Sequence, residues 1–164
     1  MIRASGTVCL GGPSETVFAW LADPELVLLW VPQMVANEHS ESPSRLGTTF
    51  VQRFQYGNRT WTSTGKIVEF VENKRLAIDV AQPSMIVHAA YSLDRVESGT
   101  EVRQDVVLEL RGVAAYARYV VQPIVSRIAR RRIATNLAAL KATFERDVGW
   151  TSSPSYPIAI KSQD

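Results

Sequence analysis

The chain reads as an α+β domain, an antiparallel sheet with one long helix laid across it, and three observations predict this. Residues 34–111 hold six alternating stretches joined largely by hairpin signals. One strand and two short helices precede them, and an amphipathic stretch fills residues 113–148. Strands in sequence with helices gathered at the ends indicate α+β rather than alternating α/β.

The first strand shows a two-residue period, with Ile2, Ala4, Gly6, Val8 and Leu10 set against Arg3, Ser5, Thr7 and Cys9. Gly11-Gly12 ends it. Pro13 suits a first helical position and Glu15 the first turn, so a short helix follows with Val17, Trp20 and Leu21 on one face. Asp23-Pro24 breaks that helix, and residues 25–30 form a second one that Pro32 stops. A weak strand then runs from Met34 to about Glu41, before a turn at Ser42-Pro43-Ser44. In the strand over residues 48–56, Phe50, Gln52, Phe54 and Tyr56 share one side, and Gly57-Asn58 signals a hairpin. Residues 59–71 and 74–81 continue the sheet. Residues 85–93 and 100–111 form a hairpin around Glu97-Ser98-Gly99, with Val102, Gln104, Val106, Leu108 and Leu110 on one side of its second strand.

Helical periodicity then takes over. Val113, Ala117, Val120, Ile124, Ile128, Ile133, Leu137, Leu140, Phe144 and Val148 recur at mostly three- and four-residue steps. A helix of about 35 residues is roughly 50 Å long and has to lie along something equally long, which here is the sheet. Pro123 removes one backbone donor and clashes with the preceding turn, so a kink is expected there.

At 164 residues the chain is expected to be one domain, and 46% hydrophobic content is enough for one core. No apolar run reaches the roughly 18–20 residues of a membrane span, and the N-terminus lacks a signal-peptide pattern, so a cytoplasmic location is expected. Cys9 is the single cysteine, and with His39 and His88 far apart no structural zinc site can be assembled. No metal and no cofactor are expected. Charge is asymmetric: residues 110–144 carry seven basic side chains and no acidic one, which leaves a net −5 elsewhere. The plain reading of Arg127, Arg130, Arg131 and Arg132 is a solvated outer face. Weak contact with anionic lipid comes second, and nucleic acid is not expected as a partner.

The order of elements is accompanied by short motifs. They are Pro13-x-x-x-Val17-x-x-Trp20, Asp23 closing helix one, Trp30-x-Pro32 closing helix two, Ser98-Gly99-Thr100 leading into the last strand, and Asn136-Leu137-x-x-Leu140-Lys141 late in the final helix. Together they resemble the SRPBCC superfamily, and within it the polyketide cyclase/dehydrase branch of the START-like, birch-pollen-allergen-like helix-grip proteins. The resemblance covers residues 1–148. It implies a seven-stranded antiparallel sheet curled around the long helix, with an apolar cavity between them. It also implies binding of lipids, polyketides, sterols, quinones or plant hormones, and in some members cyclisation or dehydration. Residues 149–164 depart from the pattern as a polar tail rich in Ser and Pro.

A sheet gripping one helix leaves its centre open unless large side chains close it. The residues that would line or close it are Phe50, Phe54, Trp61, Met85, Val87 and Tyr91 on the sheet. On the helices they are Trp30, Tyr116, Tyr119, Val120, Pro123 and Ile124. For each of them, ordinary core is the competing reading. Polar groups of inward phase are few, and Tyr91 with Gln104 is the pair that could orient a ligand carbonyl or, in an enzyme, polarise it. His88 falls on the outer phase. Three functions stay open: a carrier of a hydrophobic small molecule such as a lipid, quinone or polyketide-like compound, a cyclase or dehydratase acting on such a ligand through Tyr91, and a partner-regulating module without ligand. Access is expected near the start of the long helix.

Overall fold

The computed structural model of the chain describes residues 1–149. Seven strands form one antiparallel sheet in the order β1-β7-β6-β5-β4-β3-β2. They are β1 (Ile2–Leu10), β2 (Met34–His39), β3 (Thr49–Tyr56), β4 (Arg59–Val71), β5 (Arg75–Gln82), β6 (Met85–Val96) and β7 (Gly99–Leu110). Strands β2 to β7 follow one another as a meander, and β1 joins at the far side of β7. Helices α1 (Ser14–Ala22) and α2 (Pro24–Trp30) therefore carry the chain from one edge of the sheet to the other.

Local chemistry explains these helices. Asp23 ends α1 and caps α2, its carboxylate accepting from the backbone N–H of Glu25 at 2.8 Å and of Leu26 at 3.3 Å. Pro24 stands first in α2, where no donor is needed. The indole Nε1–H of Trp30 then donates to the Trp20 carbonyl at 2.8 Å and ties the two helices together. Register shifts between Met34 and Ala36 and between Ile67 and Glu69 mark irregularities that add local bend and twist to the sheet. Gly99, at φ +142°, lies so close to the Leu10 carbonyl that no side chain fits there. Next to it Thr100 donates its hydroxyl to the Gly12 carbonyl at 2.8 Å, which fastens β7 to the end of β1.

The C-terminal stretch corrects the expectation of one helix over residues 113–148. It comprises α3 (Val113–Tyr116), α4 (Arg118–Phe144) and a π-helical turn at Glu145–Gly149. The interruption falls at Ala117, while Pro123 stands inside α4. The apolar stripe also divides. Ile133, Leu137, Leu140 and Phe144 are buried, whereas Val113, Val120, Ile124 and Ile128 are exposed.

Two apolar clusters result. In the larger one, Phe144, Leu140 and the α1 and α2 residues Val17, Trp20 and Trp30 pack on Leu10, Phe50 and Val102. In the smaller, Ile133 and Leu137 pack on Ile2, Ala4, Val106 and Leu108. The helices thus close one half of the sheet's concave face, and only the first part of α4 overlies the other.

Candidate functional site

Under that first part of α4 the concave face is unfilled. A cavity of about 550 Å³ lies there, within the 300–1,000 Å³ range of small-molecule sites. Its sheet side is built from inward-phase residues of five adjacent strands, among them Gln52, Phe54, Trp61, Val80, Val87 and Leu108. Its helix side comes from Val125, Ile128, Ala129, Arg132, Ile133 and Asn136, which recur at helical spacing on one face of α4. Among the described residues the wall is mostly apolar and includes no acidic side chain.

Two polar features stand out. Gln104 is 4% exposed, and its Nε2 donates to the Tyr91 hydroxyl at 3.0 Å across the β6–β7 pair. Gln104 Oε1 is buried and has no hydrogen-bond partner among the described residues. An unmet buried acceptor costs about 1–3 kcal/mol. Burial pushes the Tyr91 hydroxyl up to about 12, the bond with Gln104 opposing that shift. At the rim, Arg132 donates from Nη1 to the Tyr56 hydroxyl at 2.7 Å, and its guanidinium carbon lies 5.6 Å from the Phe54 ring centroid.

The structure divides the sequence candidates into three groups. Phe54, Trp61, Met85, Val87 and Gln104 come together around the cavity. Trp30, Phe50 and Tyr91 belong to the packed cluster that holds α1, α2 and the end of α4. Tyr116, Tyr119, Val120, Pro123 and Ile124 are exposed on α3 and the start of α4. Sequence reasoning missed Arg132, Asn136 and Ala129. Their spacing from Ile128, at four, eight and one residues, was the available signal, since it places all of them on the cavity side of one helix.

Other surfaces are less suited to an apolar guest. A groove of about 920 Å³ crosses the outer face, but Arg75, Arg95, Arg103 and Asp105 line it and are engaged in exposed ion pairs. On the same outer face His88 Nδ1 lies 2.7 Å from Asp79 and Nε2 3.6 Å from Glu109. The hydrogen bond with Asp79 is the main cause that holds His88 above the ordinary histidine range, and burial partly offsets it. Among the described residues no helix is long and apolar enough to cross a membrane.

Comparison with known proteins agrees with this architecture. Residues 1–145 match the family described as polyketide cyclase / dehydrase and lipid transport. Among solved structures, the ZhuI aromatase/cyclase from Streptomyces sp. R1128 superposes with a TM-score of 0.73 at 13% identity, covering 93% of this chain and 96% of that one. A Staphylococcus aureus protein of unknown function reaches 0.75 at 11% identity, over 90% and 96%. Ara h 8.0201 reaches 0.63 at 16% identity, over 84% and 96%. At such identities the likeness speaks for the fold alone. No curated protein matches the sequence. The chain belongs to the polyketide cyclase / dehydrase and lipid transport family, within the SRPBCC superfamily.

Proposed function

From that membership we infer that the protein binds and carries a hydrophobic small molecule, a lipid, quinone or polyketide-like compound, in the cavity beneath α4. The observation that carries this reading is the cavity itself: a mostly apolar space of about 550 Å³ between the sheet and α4. A module that only regulated a partner would gain nothing from leaving such a space unfilled, because each void forfeits packing. Action as a cyclase or dehydratase through Tyr91 is less favoured. A hydroxyl held at about 12, bonded to Gln104 and set in the packed cluster, is a weak proton donor near neutral pH.

The exposed start of α4 supports a second element of the reading, weak contact with an anionic membrane. Val113, Val120 and Ile124 are more than half exposed, and Arg127, Arg130 and Arg131 lie nearby on a helix without acidic residues before its end. Apolar side chains among arginines suit a bilayer surface.

The test of carriage is mass spectrometry of an organic extract from the purified protein after exposure to lysate, beside Ala129→Trp. Ala129 faces the cavity, so the indole should fill it and lower the enriched compound at least about tenfold, as expected where a guest and a side chain compete for one space. No enrichment in the parent protein, or equal enrichment in the variant, refutes the reading.

A further inference from the structure

We propose that the ligand is an amphipathic acid: an apolar body in the cavity whose carboxylate is held at the rim by Arg132 and Asn136. This rests on the cavity being the ligand site and adds the charge and polarity of its occupant.

Among the described residues Arg132 is the one charged side chain that lines the cavity. Its contacts are with a phenol and an aromatic ring, both neutral, at 2.7 Å to the Tyr56 hydroxyl and 5.6 Å to the Phe54 centroid. A guanidinium has five N–H donors, and the Tyr56 bond uses one of them. Among the described residues Arg132 has no ion-pair partner. From Leu110 to Phe144 the chain has no acidic residue, and in the facing strands the charged residues from Thr49 to Lys66 are Arg53, Arg59 and Lys66. The rim is thus positive and unneutralised by its own elements.

Though exposed, the side chain is held by two neighbours. Tyr56 and Phe54 hold the guanidinium over the opening, so an acid group arriving there meets a donor already oriented. Asn136, one turn further along α4, lines the same wall and adds a neutral amide donor. Bonds from a guanidinium to a carboxylate are about twice as strong as neutral ones, which makes charge the main discriminator between acid and ester.

The experiment is calorimetric titration of the full chain with 10-hydroxydecanoate, its methyl ester and decanoate. The hydroxy acid and decanoate are both expected to bind at least about tenfold more tightly than the methyl ester. Arg132→Gln should bring acid and ester level, while Arg132→Lys, which keeps the charge, should retain a preference for the acid. Circular dichroism checks that the variants fold. If acid and ester bind the parent protein equally, the acid assignment falls and the carrier reading stands. If none of the three binds and the lysate extract is empty as well, both fall.

Discussion

A Cβ atom on Gly6 would lie 2.6 Å from Cγ2 of Ile133, so the missing side chain of one glycine in an edge strand sets how closely α4 approaches the sheet. That contact is the pivot of the site. Ile133 belongs both to the packed cluster beside β1 and to the cavity wall, so the helix is anchored where the cavity begins.

Gly6→Ala is therefore expected to destabilise the protein by about 1–3 kcal/mol through overpacking. Ile133→Ala alone should cost about 2–5 kcal/mol, as buried truncations do. In the double variant the new methyl group enters the freed space, so the combined loss should be smaller than the sum by at least about 0.5 kcal/mol. Urea denaturation of the four proteins measures this. Strict additivity would show that the two residues do not share the contact.

Stability should respond to pH in opposite directions at the two histidines. His88 is held above its ordinary value, chiefly by its hydrogen bond with Asp79. Its contribution is complete below the unfolded value of about 6.5 and is lost as pH rises through the higher folded value. Burial holds His39 below its ordinary value, with Asp23 opposing. Its contribution is present above about pH 6.5 and is lost as pH falls through the lower folded value. His39→Gln should leave a stability that declines upward from about pH 6.5, and His88→Gln one that declines downward from there. Midpoints of chemical denaturation between pH 5 and 8 give the profiles, and parallel curves for the two variants would contradict these roles.

Membrane contact and ligand binding should separate by residue. Arg127→Ala, Arg130→Ala and Arg131→Ala combined should weaken sedimentation with anionic vesicles at low salt several-fold, at about 1 kcal/mol per arginine at the surface. None of the three lines the cavity, so titration with 10-hydroxydecanoate should be unchanged. Unaltered sedimentation would remove the membrane contact.

Much of the fold was legible because alternation and helical periodicity are local. The inward phase of β7 was readable from Val102, Gln104, Val106 and Leu108, and all four are buried. The outer position of His88 was equally plain, since Val87 and Ala89 beside it face inward. The cavity was less legible. Phe50 and Phe54 share one face of β3 and stand about 13 Å apart along it, yet Phe50 belongs to the packed cluster and Phe54 to the cavity. Period-two alternation assigns a side chain to a face of the sheet and says nothing of its position along the strand.

The sequence by itself determined the seven strands, the two short helices, the basic terminal helix and the family. Those follow from residue spacing and order, which need no knowledge of distant partners. Which face of each strand is concave was left to the sheet, whose register shifts between Met34 and Ala36 and between Ile67 and Glu69 can reverse the phase. Only the tertiary structure decided that the apolar stripe of α4 is buried from Ile133 onward and exposed before Val125. The crossing at Gly6, the bulged strands and the seat of α1 and α2 fix where the helix meets the sheet, and each is a relation between segments far apart in the chain. The same relations brought Arg132 from a plain basic face to the rim of the cavity, beside Tyr56 and 76 residues away from it.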